Sequence, residues 1–146
     1  MKKKCLVSAC LLGIRCRYDG KSKLDKRVKA LSSHFDFIPV CPEQLGGLPT
    51  PRFRSEIKSN GRVVNENGED WTKNFIRGAK EVLKIAKMLD IKMAVLKERS
   101  PSCGVNEIYD GTFRSKCVGG KGITTRLLEE NDIEVMSEEE ITKKIL

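Results

Sequence analysis

Short apolar runs, separated by polar and glycine-rich stretches, predict four strands along the chain. The runs cover residues 4–9, 37–40, 92–96 and 133–136, and they are rich in aliphatic side chains. Runs of this length that end at turn residues are typical of buried strands rather than of helices. We therefore expect a sheet of about four strands.

Apolar residues at helical spacing predict helices between these strands. The clearest helix follows Asp70, which can cap it, and its apolar face is long. That face holds Trp71, Phe75, Ala79, Val82, Leu83 and Ala86. Shorter helices are predicted after Asp25 and near residues 124–125. A last helix is predicted after Ser137, which can form a capping box with Glu140.

The alternation of strands with helices indicates an α/β protein with a mostly parallel sheet and flanking helices. Residues 1–146 are expected to form a single domain, because no linker or low-complexity stretch interrupts them. Asn60-Gly61 predicts a small β-hairpin insertion, and Asp110-Gly111 marks a further turn. Ligands of such sheets bind outside the carboxyl ends of the strands.

Three of the six cysteines lie at the carboxyl ends of predicted strands. Cys10 follows the first strand, Cys41 ends the second, and Cys103 lies just past the third. The carboxyl ends of parallel strands share one edge of the sheet, so we expect these thiols to meet there. A cytosolic compartment keeps thiols reduced, which argues against a disulfide framework. The alternative for each cysteine is a small buried side chain of the core.

A metal centre explains three converging thiols better than unrelated core positions do. Structural zinc sites usually have four ligands with paired Cys-x-x-Cys spacing, which this chain lacks, and His34 is its only histidine. Three thiolates on a [4Fe-4S] cluster would leave one iron open as a Lewis acid. Cys16 is close enough to Cys10 to be a reserve ligand. Cys5 is expected in the core, and Cys117 in a solvent-facing loop.

Polar residues beside the thiols are candidates for catalysis and substrate binding. Glu43 stands two residues past Cys41, where a partly desolvated carboxylate can act as a general acid or base. The alternative is a solvated glutamate of a loop. Ser100 and Ser102 flank Pro101, and a hydroxyl there can hydrogen-bond a substrate or a water, or can simply stabilise a turn.

Basic residues indicate an anionic ligand, although they also serve solubility. The net charge is +8, and the excess lies in the N-terminal part of the chain. We assign Arg52 and Arg99 to substrate binding, because arginine recognises carboxylates and phosphates, and we expect Arg15 and Arg17 near the same edge. Residues 119–122, rich in glycine and followed by a predicted helix, are a candidate phosphate-contact loop.

Three blocks of the sequence resemble a known family. The first comprises residues 8–13 and 16–20, the second residues 41–52, and the third residues 97–104, which residues 108–113 continue. These blocks are similar to those of the TudS-type thiouracil desulfidase family, which was long catalogued as a domain of unknown function. The resemblance spans essentially the whole chain.

The resemblance implies a [4Fe-4S] cluster held by Cys10, Cys41 and Cys103. It implies that sulfur is removed from thiolated uracil as hydrosulfide, without net redox chemistry. The family's catalytic glutamate corresponds to Glu43. Its catalytic serine is assigned to Ser100, with Ser102 as the alternative. The expected substrate is a small-molecule thiopyrimidine or a thiolated nucleotide or RNA.

Two other functions fit parts of the sequence. A metal-stabilised RNA- or nucleotide-binding domain without catalysis would explain the basic N-terminal part, although aromatic residues make up only 5% of the chain. A thiol-redox enzyme would use the cysteines, but no Cys-x-x-Cys is present. No apolar run is long enough for a membrane span or a signal peptide, so we expect a cytoplasmic protein without a membrane or an obligate protein partner.

Overall fold

The computed structural model describes residues 1–141, and a four-stranded parallel sheet is its centre. Its helices and strands are β1 (Lys3–Ser8), α1 (Lys26–Ala30), β2 (Phe35–Val40), α2 (Pro42–Leu45), β3 (Ser55–Ile57), β4 (Val63–Asn65), α3 (Thr72–Met88), β5 (Met93–Leu96), β6 (Glu107–Tyr109), β7 (Cys117–Gly119), α4 (Ile123–Glu130) and β8 (Glu134–Ser137). The strand order is β2-β1-β5-β8, and every pair is parallel. The predicted α/β fold with its mostly parallel sheet is therefore confirmed.

Both faces of the sheet are covered, because side chains of β1 alternate between two apolar clusters. Leu6 packs with Val82 of α3 and Leu128 of α4 on one side. Val7 packs with Val28 of α1 on the other side. Strands that are buried on both faces are continuous apolar runs rather than alternating ones, and this made the four strands visible in the sequence.

Helix α3 is the long helix that the sequence predicted. Asp70 lies just before it and accepts a hydrogen bond from the Thr72 backbone nitrogen at 2.9 Å. Helix α4 begins at Ile123, close to the predicted start. The capping box of Ser137 and Glu140 is present, but it opens a 3-10 turn at Glu138–Glu140, and the rest of the predicted last helix lies outside the described residues.

Helix α2 was not predicted, and close packing against α3 fixes its position. Pro42 is its first residue, where proline suits a helix. A Cβ atom on Gly78 of α3 would lie 1.9 Å from the Pro42 carbonyl oxygen, and one on Gly46 would lie 2.1 Å from the Asn74 carbonyl oxygen. Only glycine allows this approach at either position, and the contact places the segment that follows β2.

Two β-hairpins lie outside the central sheet. Strands β3 and β4 pair across a turn that contains Asn60 and Gly61, as predicted. Strands β6 and β7 form a second hairpin of which the sequence indicated only a turn, so Cys117 lies in a strand, exposed to solvent. Glu56 joins the hairpins, because its Oε1 accepts from the backbone nitrogens of Gly111 and Phe113 at 3.0 Å each.

Candidate functional site

Cys10, Cys41 and Cys103 line one cavity at the carboxyl edge of the sheet. Cys10 lies in a 3-10 turn directly after β1, Cys41 directly follows β2, and Cys103 lies in the loop after β5. These strands are parallel neighbours, so their carboxyl ends lie side by side as predicted. The cavity volume is about 180 Å³, which suits a ligand smaller than a typical drug molecule.

Cys16 brings a fourth thiol to the same cavity. Its side chain is only 2% exposed. A hydrogen bond with the Cys10 thiol is the largest cause that raises the pKa of Cys16, to about 11, and a second hydrogen bond joins it to Cys41. The Cys41 thiol also donates to the Cys16 carbonyl oxygen at 3.7 Å. Cys5, by contrast, is fully buried in the core, as expected.

The pKa values of Cys41 and Cys103 are raised above the ordinary value of a thiol. Burial raises the pKa of Cys103 to about 12, although hydroxyl groups of Ser8 and Ser100 act in the opposite direction. The hydrogen bond with Cys16 and burial together raise the pKa of Cys41 strongly. A metal that binds these side chains must therefore displace their protons.

The arrangement of donors distinguishes between kinds of metal centre. Within residues 1–141, no three histidine, cysteine, aspartate or glutamate side chains converge closely enough to hold a single metal ion. A [4Fe-4S] cluster binds each thiolate through a different iron, so its ligands surround a larger body. Three thiols around one cavity fit that donor set.

Glu43 lies beside the cysteines and is paired with an arginine. It is in the first turn of α2, and its side chain is 17% exposed. Nε of Arg52 donates to its Oε1 at 3.1 Å. Burial raises the pKa of Glu43, while the positive charge of Arg52 lowers it. A carboxyl group in such a setting is suited to proton transfer.

Arg52 is almost fully buried, and its other donors bind the protein rather than open space. Its Nη1 donates to the Pro49 carbonyl oxygen at 3.1 Å and to Thr50 Oγ1 at 2.9 Å. Its Nη2 donates to the Cys16 carbonyl oxygen at 3.0 Å. Arg52 therefore binds Glu43 and neighbouring protein acceptors while it lines the cavity, and its role in substrate binding stays a prediction.

The two candidate serines lie in different surroundings. Ser100 lines the cavity, and its Oγ accepts from the backbone nitrogens of Ser102 at 3.1 Å and Cys103 at 3.0 Å. Ser102 is 1% exposed, and its Oγ lies 2.7 Å from Thr124 Oγ1. Within the described chain Ser102 does not line the cavity. Its hydroxyl joins the Cys103 loop to α4, which argues against the substrate contact expected from sequence.

The glycine-rich segment before α4 does not form the expected phosphate-contact loop. The first backbone N–H groups of α4 donate to carbonyl oxygens of residues 101–104. A Cβ atom on Gly122 would lie 2.4 Å from the Ser102 carbonyl oxygen, so the loop and the helix touch directly. The hypothesis for residues 119–122 is therefore contradicted, because the donors at this helix terminus already hold the loop of Cys103.

Glu98 organises that loop and was missed in the sequence. It is 2% exposed, and its Oε1 accepts from the backbone nitrogens of Val105 at 2.7 Å and Asn106 at 2.9 Å. Burial acts to raise its pKa, but hydrogen bonds from Asn106 and Val105 outweigh it and lower the pKa to about 2. No motif marks such a residue, because its partners are backbone groups.

The arginines expected at the rim differ in position. Arg99 lines the cavity, but its guanidinium pairs with Glu139 and, at 3.3 Å, with Glu107. Arg17 also lines the cavity. Arg15 is exposed and is not among the lining residues of the described chain.

No helix within residues 1–141 is long and apolar enough to cross a membrane.

Comparison with known proteins supplies the family. The family model for 2-thiouracil desulfurase matches residues 5–140. The chain is 39% identical over 145 residues to the uncharacterized protein YbbK of Bacillus subtilis (strain 168). The aligned region covers 93% of this chain and 96% of YbbK. It is similar to a solved structure described as the [4Fe-4S]-dependent thiouracil desulfidase TudS, with 44% identity and a TM-score of 0.90. That match covers 97% of this chain and 95% of the other.

Proposed function

Because the chain belongs to the 2-thiouracil desulfurase family, we propose that it is a [4Fe-4S]-dependent thiouracil desulfidase, with residues 1–146 as one domain. One observation carries the proposal: a single cavity joins Cys10, Cys41 and Cys103 with Glu43 and Ser100. The likeness to a [4Fe-4S]-dependent thiouracil desulfidase at 44% identity supports it independently.

Cys10, Cys41 and Cys103 are the proposed cluster ligands. When bound, the cluster would supply an iron without a protein ligand, a Lewis acid for the thiocarbonyl sulfur of the substrate. Cys16, which hydrogen-bonds with two of the ligands, is assigned as their neighbour rather than as a ligand. This leaves the donor set at three thiols, as the resemblance to the family implies.

The side chains around the thiols carry the proton transfers and the positioning. Glu43 takes a proton from the attacking water and returns one to the pyrimidine ring, and Arg52 holds its carboxylate in place. Ser100 lines the cavity and orients the substrate or the water through its hydroxyl. Water supplies the oxygen that replaces sulfur, and sulfur leaves as hydrosulfide, so the net reaction needs no electron donor or acceptor.

The cavity of about 180 Å³ must hold the cluster as well as the substrate. The proposed substrate is a small-molecule thiopyrimidine, and a nucleoside or RNA would have to extend from the cavity mouth. We place the activity in the cytoplasm, where thiols stay reduced.

Anaerobic reconstitution tests the proposal. The protein is loaded with iron and sulfide and is incubated with 2-thiouracil and 4-thiouracil, and uracil and sulfide are measured. We expect both products in equal amounts. Glu43→Ala should keep the visible absorbance of the cluster and should lose activity by about 100-fold or more, as expected for removal of a general acid–base group. Glu134→Ala, a change at an exposed glutamate, serves as the control.

Two outcomes would contradict the proposal. A reconstituted protein with neither visible absorbance nor product would exclude the enzyme. A protein that binds nucleotides equally well before and after Glu43→Ala, and never forms uracil, would be a binding domain without catalysis.

A further inference from the structure

Ser55 places a buried hydroxyl without a hydrogen-bond partner in the wall of the cavity. It is the first residue of β3, it lines the cavity, and it is 5% exposed. Its Oγ has no partner among the described residues. Buried polar atoms in folded proteins are nearly always hydrogen-bonded, so an unpaired one at a ligand cavity indicates a missing ligand atom.

Arg54, which precedes Ser55 in the sequence, also has a buried polar atom without a hydrogen-bond partner among the described residues. This atom is its Nε, and Arg54 also lines the cavity. Its guanidinium lies 5.5 Å from the centre of the Phe113 ring and its Nη2 lies 4.0 Å from Glu56 Oε2, at the limit of an ion pair. Arg52 differs, because its donors all lie on protein acceptors at 2.9–3.1 Å.

The backbone holds these side chains in position without a ligand. Ser55 pairs with Asn65 of β4 in the antiparallel hairpin. Glu56, the next residue, fixes the strand to the second hairpin through Gly111 and Phe113. The unpaired atoms therefore belong to a supported strand, which is the arrangement expected of a preformed binding site.

The chemistry of the unpaired atoms indicates what they bind. A guanidinium only donates hydrogen bonds, and a serine hydroxyl can donate or accept. Both residues line the same cavity, and both of their unpaired atoms can donate, which favours an acceptor of the ligand. A thiouracil ring carries one thiocarbonyl group and one carbonyl group, and the carbonyl oxygen is an acceptor that takes no part in the loss of sulfur.

We propose that the Ser55 hydroxyl donates a hydrogen bond to the carbonyl oxygen that the thiouracil ring retains. This assignment rests on the proposed function and adds to it a residue that determines specificity for the ring. Glu43 and Ser100 act at the reacting carbon–sulfur bond, whereas Ser55 recognises the rest of the pyrimidine.

Binding of two ring ligands tests this assignment. Uracil has both ring carbonyl groups and an N3–H, and pyrimidin-2-one lacks the carbonyl at position 4 and that N–H. Calorimetric titration of the cluster-loaded protein should give uracil a higher affinity than pyrimidin-2-one. Ser55→Ala should reduce this preference about tenfold, the value of one hydrogen bond to a buried group. Ser59→Ala, at an exposed serine of the same hairpin, should keep it.

A second measurement separates recognition from a structural role. Ser55→Ala should unfold in urea at the same concentration as the wild type or at a slightly higher one, because it removes an unpaired buried polar group. The KM for 2-thiouracil should rise about tenfold while kcat stays near the wild-type value. A clear loss of stability in Ser55→Ala would overturn the assignment.

The remaining outcomes decide between the two proposals. Equal uracil affinity in Ser55→Ala and wild type, equal losses for both ring ligands, or no uracil binding by the wild type would overturn the role of Ser55. A loss of affinity only for inorganic phosphate would do so too, and would assign the donors to an anion. A wild type that forms no uracil from thiouracil, but whose ring preference depends on Ser55, would leave the ring site standing and overturn the proposed function.

Discussion

The two walls of the cavity are built in different ways. The wall at the sheet edge carries Cys10, Cys41 and Cys103, and its neighbouring carboxylates and hydroxyls are hydrogen-bonded within the protein. The wall from β3 carries Arg54 and Ser55, where buried polar atoms have no partner in the described chain. The polar groups of the sheet-edge wall thus form their hydrogen bonds when the chain folds. Those of the β3 wall form theirs, in our proposal, when a ligand binds.

This difference separates positioning from recognition. Changes in the sheet-edge wall should affect the metal centre, the chemistry or the stability of the fold. Changes in the β3 wall should affect which ring is bound and should leave the fold intact. Each prediction below tests the first half of this contrast, and Ser55→Ala tests the second.

The largest effect is expected from loss of a proposed cluster ligand. Cys103→Ser should bind little iron after reconstitution and should lose essentially all activity, because a serine replaces one of only three thiolates. Cys16→Ser should keep its iron content, since its thiol is assigned as a neighbour of the ligands. Cys117→Ser, at an exposed thiol, is the control. Iron analysis with visible absorbance measures the result, and iron loss in Cys16→Ser instead would show that the ligand set is wrong.

A large effect on stability is expected at Glu98. Its folded pKa of about 2 lies below the ordinary value of 4.5. Its contribution to the free energy of unfolding is therefore complete above pH 4.5 and is lost as the pH falls towards 2. The shift corresponds to roughly 3 kcal/mol. Glu98→Gln should therefore lower the free energy of unfolding at pH 7, with a smaller difference at pH 3.

Urea denaturation of the cluster-free protein at both pH values measures the effect of Glu98→Gln. Glu134→Gln, at an exposed glutamate, is the control. A difference from the wild type that does not depend on pH would show that the ionised carboxylate is not what holds the loop of Cys103.

The smallest effects are expected from the two serines, and they differ in kind. Ser100→Ala should lower kcat about 10- to 100-fold, because the hydroxyl at the cavity is lost. Ser102→Ala should keep kcat within about twofold and should lose about 1 kcal/mol of stability with the bond to Thr124. Steady-state kinetics and thermal unfolding of both variants measure this, and a reversed pattern would assign the catalytic role to Ser102.

The sequence predicted the features that repeat along the chain. The four strands were recognisable because a strand such as β1 is buried on both faces and appears as one apolar run. Asn60-Gly61 predicted the first hairpin, since few other dipeptides suit its turn. Strands β6 and β7 have three residues each, too few for a period to be visible.

The site was predictable only in part, for a physical reason. Strand order and the position of Cys10, Cys41 and Cys103 after successive strands predicted one cavity edge. Glu98, by contrast, binds backbone groups, and Arg52 reaches across 36 residues to the Cys16 carbonyl oxygen. Such contacts depend on how loops fold back, and neither spacing nor residue type along the chain contains that information.

The central claim is that three thiols at the sheet edge hold one iron–sulfur cluster beside Glu43. Diffraction from crystals of the anaerobically reconstituted protein, measured on both sides of the iron absorption edge, tests it most directly. The account predicts one compact group of iron peaks bonded to the sulfur atoms of Cys10, Cys41 and Cys103, with those sulfur atoms about 6–7 Å apart. Iron bonded to Cys16 in place of one of them, or a single metal peak shared by the thiols, would contradict it.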